Sequence, residues 1–215
     1  MSDDWIIDEP DGEARATFIL SHGAGAGMDT PFMQAFAEGL TDGDVRVIRF
    51  EFPYMQKRRR EGGRRPPDRQ PKLLESWRET IRETRTRFPS QPLFIGGKSM
   101  GGRMASLIAD ESAEQQEVKG LICLGYPFHP PGRPEKLRTE HLKELSTPAL
   151  ILQGERDPFG KPDEVASYGL SPTIKVEYLP DGDHSFKPRK ASGHTLQENL
   201  NTSVQKALAF VSETA

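Results

Sequence analysis

The chain has 215 residues, with 29 Lys and Arg against 32 Asp and Glu and a formal net charge of −3. This balance gives no global pull toward nucleic acid or a membrane surface, and a single cysteine, Cys123, excludes an intrachain disulfide framework. The acidic start, Met1-Ser2-Asp3-Asp4, lacks the order of a secretory leader, and no apolar run is long enough to span a bilayer, so a soluble cytoplasmic protein is expected.

Short apolar runs alternate with helical patterns along the whole chain. The runs at 16–20, 45–50, 93–95, 121–124, 149–152 and 176–179 read as strands, preceded by a short one at 5–7. Helical spacing covers 31–40, 72–88, 99–110, 163–168 and 196–212. Such alternation predicts a single α/β domain over 1–215, with a mostly parallel sheet covered on both faces. In sheets of this kind chemistry gathers where the strands end. The first long strand runs into Ser21-His22-Gly23-Ala24-Gly25-Ala26-Gly27, a small-residue loop that does not fit the dinucleotide pattern G-x-G-x-x-G. After the 45–50 strand, residues 54–71 carry Lys57-Arg58-Arg59-Arg60, Arg64-Arg65 and Arg69 and show no core pattern. They are expected to form a basic loop insertion, meeting an anionic substrate group, solvent or a partner. Without interleaved aromatics, nucleic acid is not the expected partner.

The next strand runs into Gly97-Lys98-Ser99-Met100-Gly101, which fits G-x-S-x-G. A sharp strand-to-helix turn would hold the Ser99 hydroxyl above the sheet, and residues two before and two after must be small for strand and helix to approach. A phosphate-binding P-loop is excluded, because G-x-x-x-x-G-K-[ST] needs glycine where Pro92 stands. Beyond the 121–124 strand, Tyr126 and Phe128 are placed to line a substrate pocket, and Arg103 on the helix after Ser99 is placed to receive an anionic group. Asp157 follows the 149–152 strand and His184 follows the 176–179 strand. The order Ser99, Asp157, His184, each beyond a different strand on one sheet edge, is that of a Ser-His-Asp triad. The backbone N–H groups of Ala24 and Met100 are the expected oxyanion donors. No metal or cofactor is required by this chemistry.

With these residues in view the chain resembles the α/β-hydrolase superfamily near its dienelactone-hydrolase-like branch. More narrowly, it resembles the family that includes a testis-expressed hydrolase-like protein and a subunit of a chromatin histone-acetyltransferase complex. The motifs that carry the likeness lie at 22–27, 52–55, 64–69, 97–103, 125–132, 157–160 and 181–187. The resemblance implies a hydrolase sheet with little or no cap, and a triad on Ser99, Asp157 and His184 acting on a small acyl substrate. It also makes the 64–69 basic stretch part of a family pattern. A non-catalytic binding or scaffold protein and an acyltransferase are the alternatives. Lys98, beside the serine, departs from the neutral residue usual in esterases and needs a partner.

Overall fold

Apolar runs bounded by breakers become strands when alternate side chains are buried on both faces of one sheet. The computed structural model describes residues 4–115 and 117–215. In it the runs form β1 (Ile6–Asp8), β2 (Ala16–Ser21), β3 (Val45–Phe50), β4 (Leu93–Lys98), β5 (Gly120–Leu124), β6 (Ala149–Gly154) and β7 (Ile174–Leu179). They pair in the order β1-β3-β2-β4-β5-β6-β7, and every pairing is parallel except that of β1 with β3.

The helices are α1 (Pro31–Thr41), α2 (Pro53–Glu61), α3 (Gln70–Arg87), α4 (Met100–Ser106), α5 (Ala109–Glu114), α6 (Pro162–Ala166) and α7 (Leu196–Thr214). Phe18, Leu20, Val47, Phe94 and Ile122 pack with Phe36 of α1 and Val211 of α7 on one face. Ile19, Ile48, Ile95 and Ile151 pack with Trp77 of α3 and Met104 of α4 on the other. Burying a side chain such as Phe36 is worth roughly 1.5–3 kcal/mol. Both faces are thus covered, as an α/β-hydrolase fold requires. Cys123 lies fully buried beneath α4, with Sγ 3.5 Å from the Gly102 carbonyl, and burial pushes its thiol above the ordinary range. No helix among the described residues is long and apolar enough to cross a membrane.

Three sequence expectations are corrected. First, the basic segment at 54–71 is not a loop throughout, because residues Pro53–Glu61 form α2. Pro53 at the helix start and Gly62 just past its end, at φ 73°, are ordinary boundary residues. Apolar spacing could not reveal it, because only Tyr54 and Met55 of its nine residues are buried. Second, the helix expected over 99–110 breaks after Ser106. The Ser106 hydroxyl donates to the Arg103 carbonyl at 2.8 Å, the acceptor that the Leu107 N–H would use, and Leu107 turns instead to Met104 at 3.3 Å. Third, Tyr126 and Phe128, expected at a pocket wall, belong to the core. Both are fully buried, their rings 4.8 Å apart, and the Tyr126 hydroxyl donates to the Arg138 carbonyl at 2.9 Å. The segment joining β5 to β6 is anchored by buried Tyr126, Phe128, Leu142 and Leu145, while its stretch 131–137 is exposed.

Asp110 anchors the return of that segment to the sheet. Its carboxylate accepts from Ser146 N, Thr147 N and the Thr147 hydroxyl at 2.6–3.1 Å. Burial alone would raise its pKa, but these hydrogen bonds outweigh burial and hold it below the ordinary carboxylate value. The stabilisation is therefore present at neutral pH and is lost as pH falls through the carboxylate range. Asp110→Ala should lower stability by about 2–3 kcal/mol in urea denaturation at pH 7, and the gap between variant and wild type should narrow below pH 4.

Candidate active site

Ser99 sits between β4 and α4 with φ 51°, a backbone region that few residues other than glycine occupy. The chain is forced into it by close approach. A Cβ on Gly101 would lie 2.6 Å from the His22 carbonyl, and one on Gly97 would meet the Ser21 carbonyl. Small residues at both positions let β2, β4 and α4 converge, and the hydroxyl projects from the turn.

His184 and Asp157 arrive from the loops after β7 and β6. The His184 Nε2 lies 2.9 Å from Ser99 Oγ, and its Nδ1 lies 2.7 Å from Asp157 Oδ2. A carboxylate can only accept, so Nδ1 carries the proton, and Nε2 is free to accept from the serine. Asp157 is fully buried. Its Oδ2 also accepts from Gln153 Nε2 at 3.0 Å, and its Oδ1 accepts from Phe159 N at 2.9 Å. The Phe159 ring packs on the imidazole at 4.3 Å. The histidine loop is fastened from outside, where Asn199 Nδ2 donates to the Pro180 and Phe186 carbonyls at 3.0 and 2.8 Å.

The small-residue loop faces the serine from β2. Neither Ala24 N–H nor Met100 N–H has an acceptor among the described residues. His22 braces this loop. Its Nε2 accepts from Phe52 N at 3.2 Å, so Nδ1 is the protonated nitrogen and donates to the Gly23 carbonyl at 2.6 Å. Burial lowers its pKa and keeps the ring neutral. Helix α2 completes the support. The Tyr54 hydroxyl donates to the Ala24 carbonyl at 3.0 Å, Arg58 Nη1 donates to Gly25 O at 3.0 Å, and Arg59 pairs with the buried Glu51 at 2.6 Å. The basic residues Arg58 and Arg59 thus serve the loop.

A cleft of about 450 Å³ opens over Ser99 and His184, lined by Ala24, Phe32, Lys98 and Phe159 among others. Arg103, Tyr126 and Phe128 do not line it. Lys98 does, and the partner it needs is a carbonyl: Nζ donates to His184 O at 2.6 Å. Gly125, at φ 66°, leaves space for this clamp, since a Cβ there would lie 3.0 Å from both Lys98 Nζ and His184 O. Burial pushes the Lys98 pKa down from 10.5 to about 8, against the opposing pull of Asp157 and Asp183. Sequence reading missed Gln153, Phe159 and Gly125. The one signal for Gln153 was a lone polar residue at the end of an apolar strand.

A family model described as alpha/beta hydrolase domain matches residues 14–212. The chain belongs to this family. Solved structures share its fold. A dienelactone hydrolase from Anabaena variabilis has a TM-score of 0.73 at 17% identity, covering 98% of this chain and 91% of that one. An alpha-beta serine hydrolase homologue from Coxiella burnetii has a TM-score of 0.71 at 19% identity over 98% and 91%. A serine hydrolase without a lid from Xanthomonas campestris has a TM-score of 0.69 at 21% identity over 95% and 87%.

Two outcomes test the clamp behind His184. Gly125→Ala should cost about 1–2 kcal/mol from its backbone alone and should lower turnover of a chromogenic ester at least tenfold. Unchanged turnover would remove the clamp from the site's geometry. A part-buried lysine whose pKa falls on folding is a burden while it is charged, and stability rises with pH between the folded and unfolded values. From pH 8 to 10.5, wild-type stability should therefore climb relative to Lys98→Met by up to about 3 kcal/mol in urea denaturation. Parallel curves would contradict this.

Proposed function

We propose that the protein is a serine hydrolase that cleaves carboxylic esters, thioesters or related acyl compounds through an acyl-enzyme on Ser99. One observation carries this reading: the continuous hydrogen-bonded line from Ser99 Oγ through His184 to Asp157, at 2.9 and 2.7 Å, opening into a cleft. In the first step Ser99 Oγ attacks the acyl carbon while His184 Nε2 takes its proton. Asp157 holds the Nδ1–H tautomer and stabilises the imidazolium. The developing oxyanion is met by the N–H groups of Ala24 and Met100, a contribution of about 3 kcal/mol per donor. His184 then gives the proton to the leaving oxygen or sulfur. Water attacks the acyl-enzyme, passing a proton back through His184, and the acid departs with Ser99 restored.

The open cleft favours small or flexible substrates. Our narrower assignment, kinship with the testis-expressed hydrolase-like protein and the chromatin-complex subunit, rests on the motifs at 22–27, 52–55, 64–69, 97–103, 125–132, 157–160 and 181–187 together.

A fluorophosphonate probe should label wild type at Ser99, and Ser99→Ala should abolish labelling. On a panel of p-nitrophenyl and thioester substrates, Ser99→Ala and His184→Ala should each lower kcat at least about 10³-fold, and Asp157→Asn should do so to a comparable extent. Labelling that survives in the alanine variant would refute the assignment.

A further inference from the structure

The sheet has two edges, and they are finished differently. At one end β1 is only three residues long, and its Asp8 is held by Arg49 at 2.7 Å. At the other end β7 is six residues long and mostly part-exposed, whereas β6 beside it is buried throughout. The ladder between them opens with Ala149 N donating to Thr173 O at 3.0 Å and closes with Glu155 N donating to Leu179 O at 3.2 Å. A strand residue turns its N–H and C=O to the same side, and successive residues alternate. Thr173, Lys175, Glu177 and Leu179 therefore spend their main-chain groups on β6, and Ile174, Val176 and Tyr178 turn theirs outward. The Ile174 N–H is met by Ser171 O at 3.0 Å. The N–H groups of Val176 and Tyr178, and the carbonyls of all three residues, face out from the edge.

The side chains of Ile174, Val176 and Tyr178 share one face of the strand. With Val165 of α6, Leu170 and Pro172 they border a largely apolar groove of about 660 Å³. Lys175 and Glu177 lie on the other face, where the Lys175 side chain is 63% exposed. A long open edge is a template for a further strand, and the spacing of charge and proline says which strand fits. Two copies of β7 related by a two-fold axis run antiparallel. With the axis at Val176, outward residues meet outward residues, and Lys175 of each copy meets Glu177 of the other. An axis at Lys175 sets lysine against lysine, and an axis at Glu177 sets glutamate against glutamate, and like charges directly opposite repel. An axis at Ile174 or Tyr178 puts Pro172 or Pro180, which have no N–H, opposite the Val176 carbonyl.

We propose that β7 pairs antiparallel with β7 of a second copy of this chain, centred on Val176, so that the two sheets become one. Val176 and Tyr178 N–H of each copy donate to the Val176 and Ile174 carbonyls of the other. Lys175 and Glu177 of the second copy then stand at a non-hydrogen-bonded position, where opposed side chains lie closest. On the other face Ile174 packs against Tyr178 of the second copy, and the two grooves meet along the axis.

The test is sedimentation velocity of the full chain up to about 100 μM, with thermal melts of every variant. Wild type should form dimers as concentration rises. Lys175→Glu and Glu177→Lys each set like charges together on both sides of the axis and should weaken association at least tenfold. Combining the two should restore it, because opposite charges face one another again. The contact of Lys206 with Glu177, at 3.1 Å, lies within one chain and weighs equally on monomer and dimer. Cys123 is buried, so Val176→Cys adds one accessible thiol, placed about 5.5 Å from its mate between Cα atoms and within disulfide reach. Oxidation should join this variant into a covalent dimer, whereas Lys175→Cys, which faces residue 177, should cross-link far more slowly. Wild type that stays monomeric, its edge bare or left to a strand of another protein, would overturn the proposal. So would a dimer that ignores the single charge reversals or is not recovered by the double exchange, and so would a folded Val176→Cys that fails to cross-link.

Discussion

The architecture around Ser99 depends on how closely three pieces of backbone approach. Strand β2, strand β4 and the start of α4 meet where Gly97 and Gly101 have no side chains to hold them apart. This convergence forces Ser99 to positive φ, a conformation that costs about 1–2 kcal/mol for an ordinary residue. The buried sheet on either side is large enough to sustain that cost. In return the hydroxyl is held clear of the sheet with a helix N-terminus immediately behind it.

The charged groups around this turn hold main chain in place. Lys98 grips the carbonyl of His184, Arg58 grips that of Gly25, and Arg156 grips that of Asp181. Each fastens a loop that carries or flanks a residue of the proposed triad or oxyanion site. Helix α2 therefore extends the support of the site far beyond the sheet edge. Its basic residues form a scaffold for the loop at 22–27. Preorganisation of this kind matters because loops able to relax would solvate the developing charge less well than fixed dipoles do.

How much of this could be read from the chain alone follows from the kind of signal each feature leaves. Strands declare themselves through apolar runs, and the residues just past their ends lie at one sheet edge, so Ser99, Asp157 and His184 could be grouped before any coordinates. Position past a strand does not say toward which face a side chain turns. For that reason Tyr126 and Phe128, expected in a pocket, prove to be core, and Arg103 does not line the cleft. Helix α2 was hidden because Tyr54 and Met55 are its only buried residues, and two adjacent positions make no apolar stripe. The partner of Lys98 could not be found by looking for an acidic residue, since every residue of the chain offers a carbonyl.

The burial of Cys123 has a consequence of its own. Its sulfur is sealed between β5 and α4, against the helix that follows Ser99. A folded molecule built in this way presents no thiol to oxidants or to alkylating reagents. Modification of the lone sulfur would then count the moments when the layers part, a clock for opening of the interior that runs independently of any chemistry at the serine.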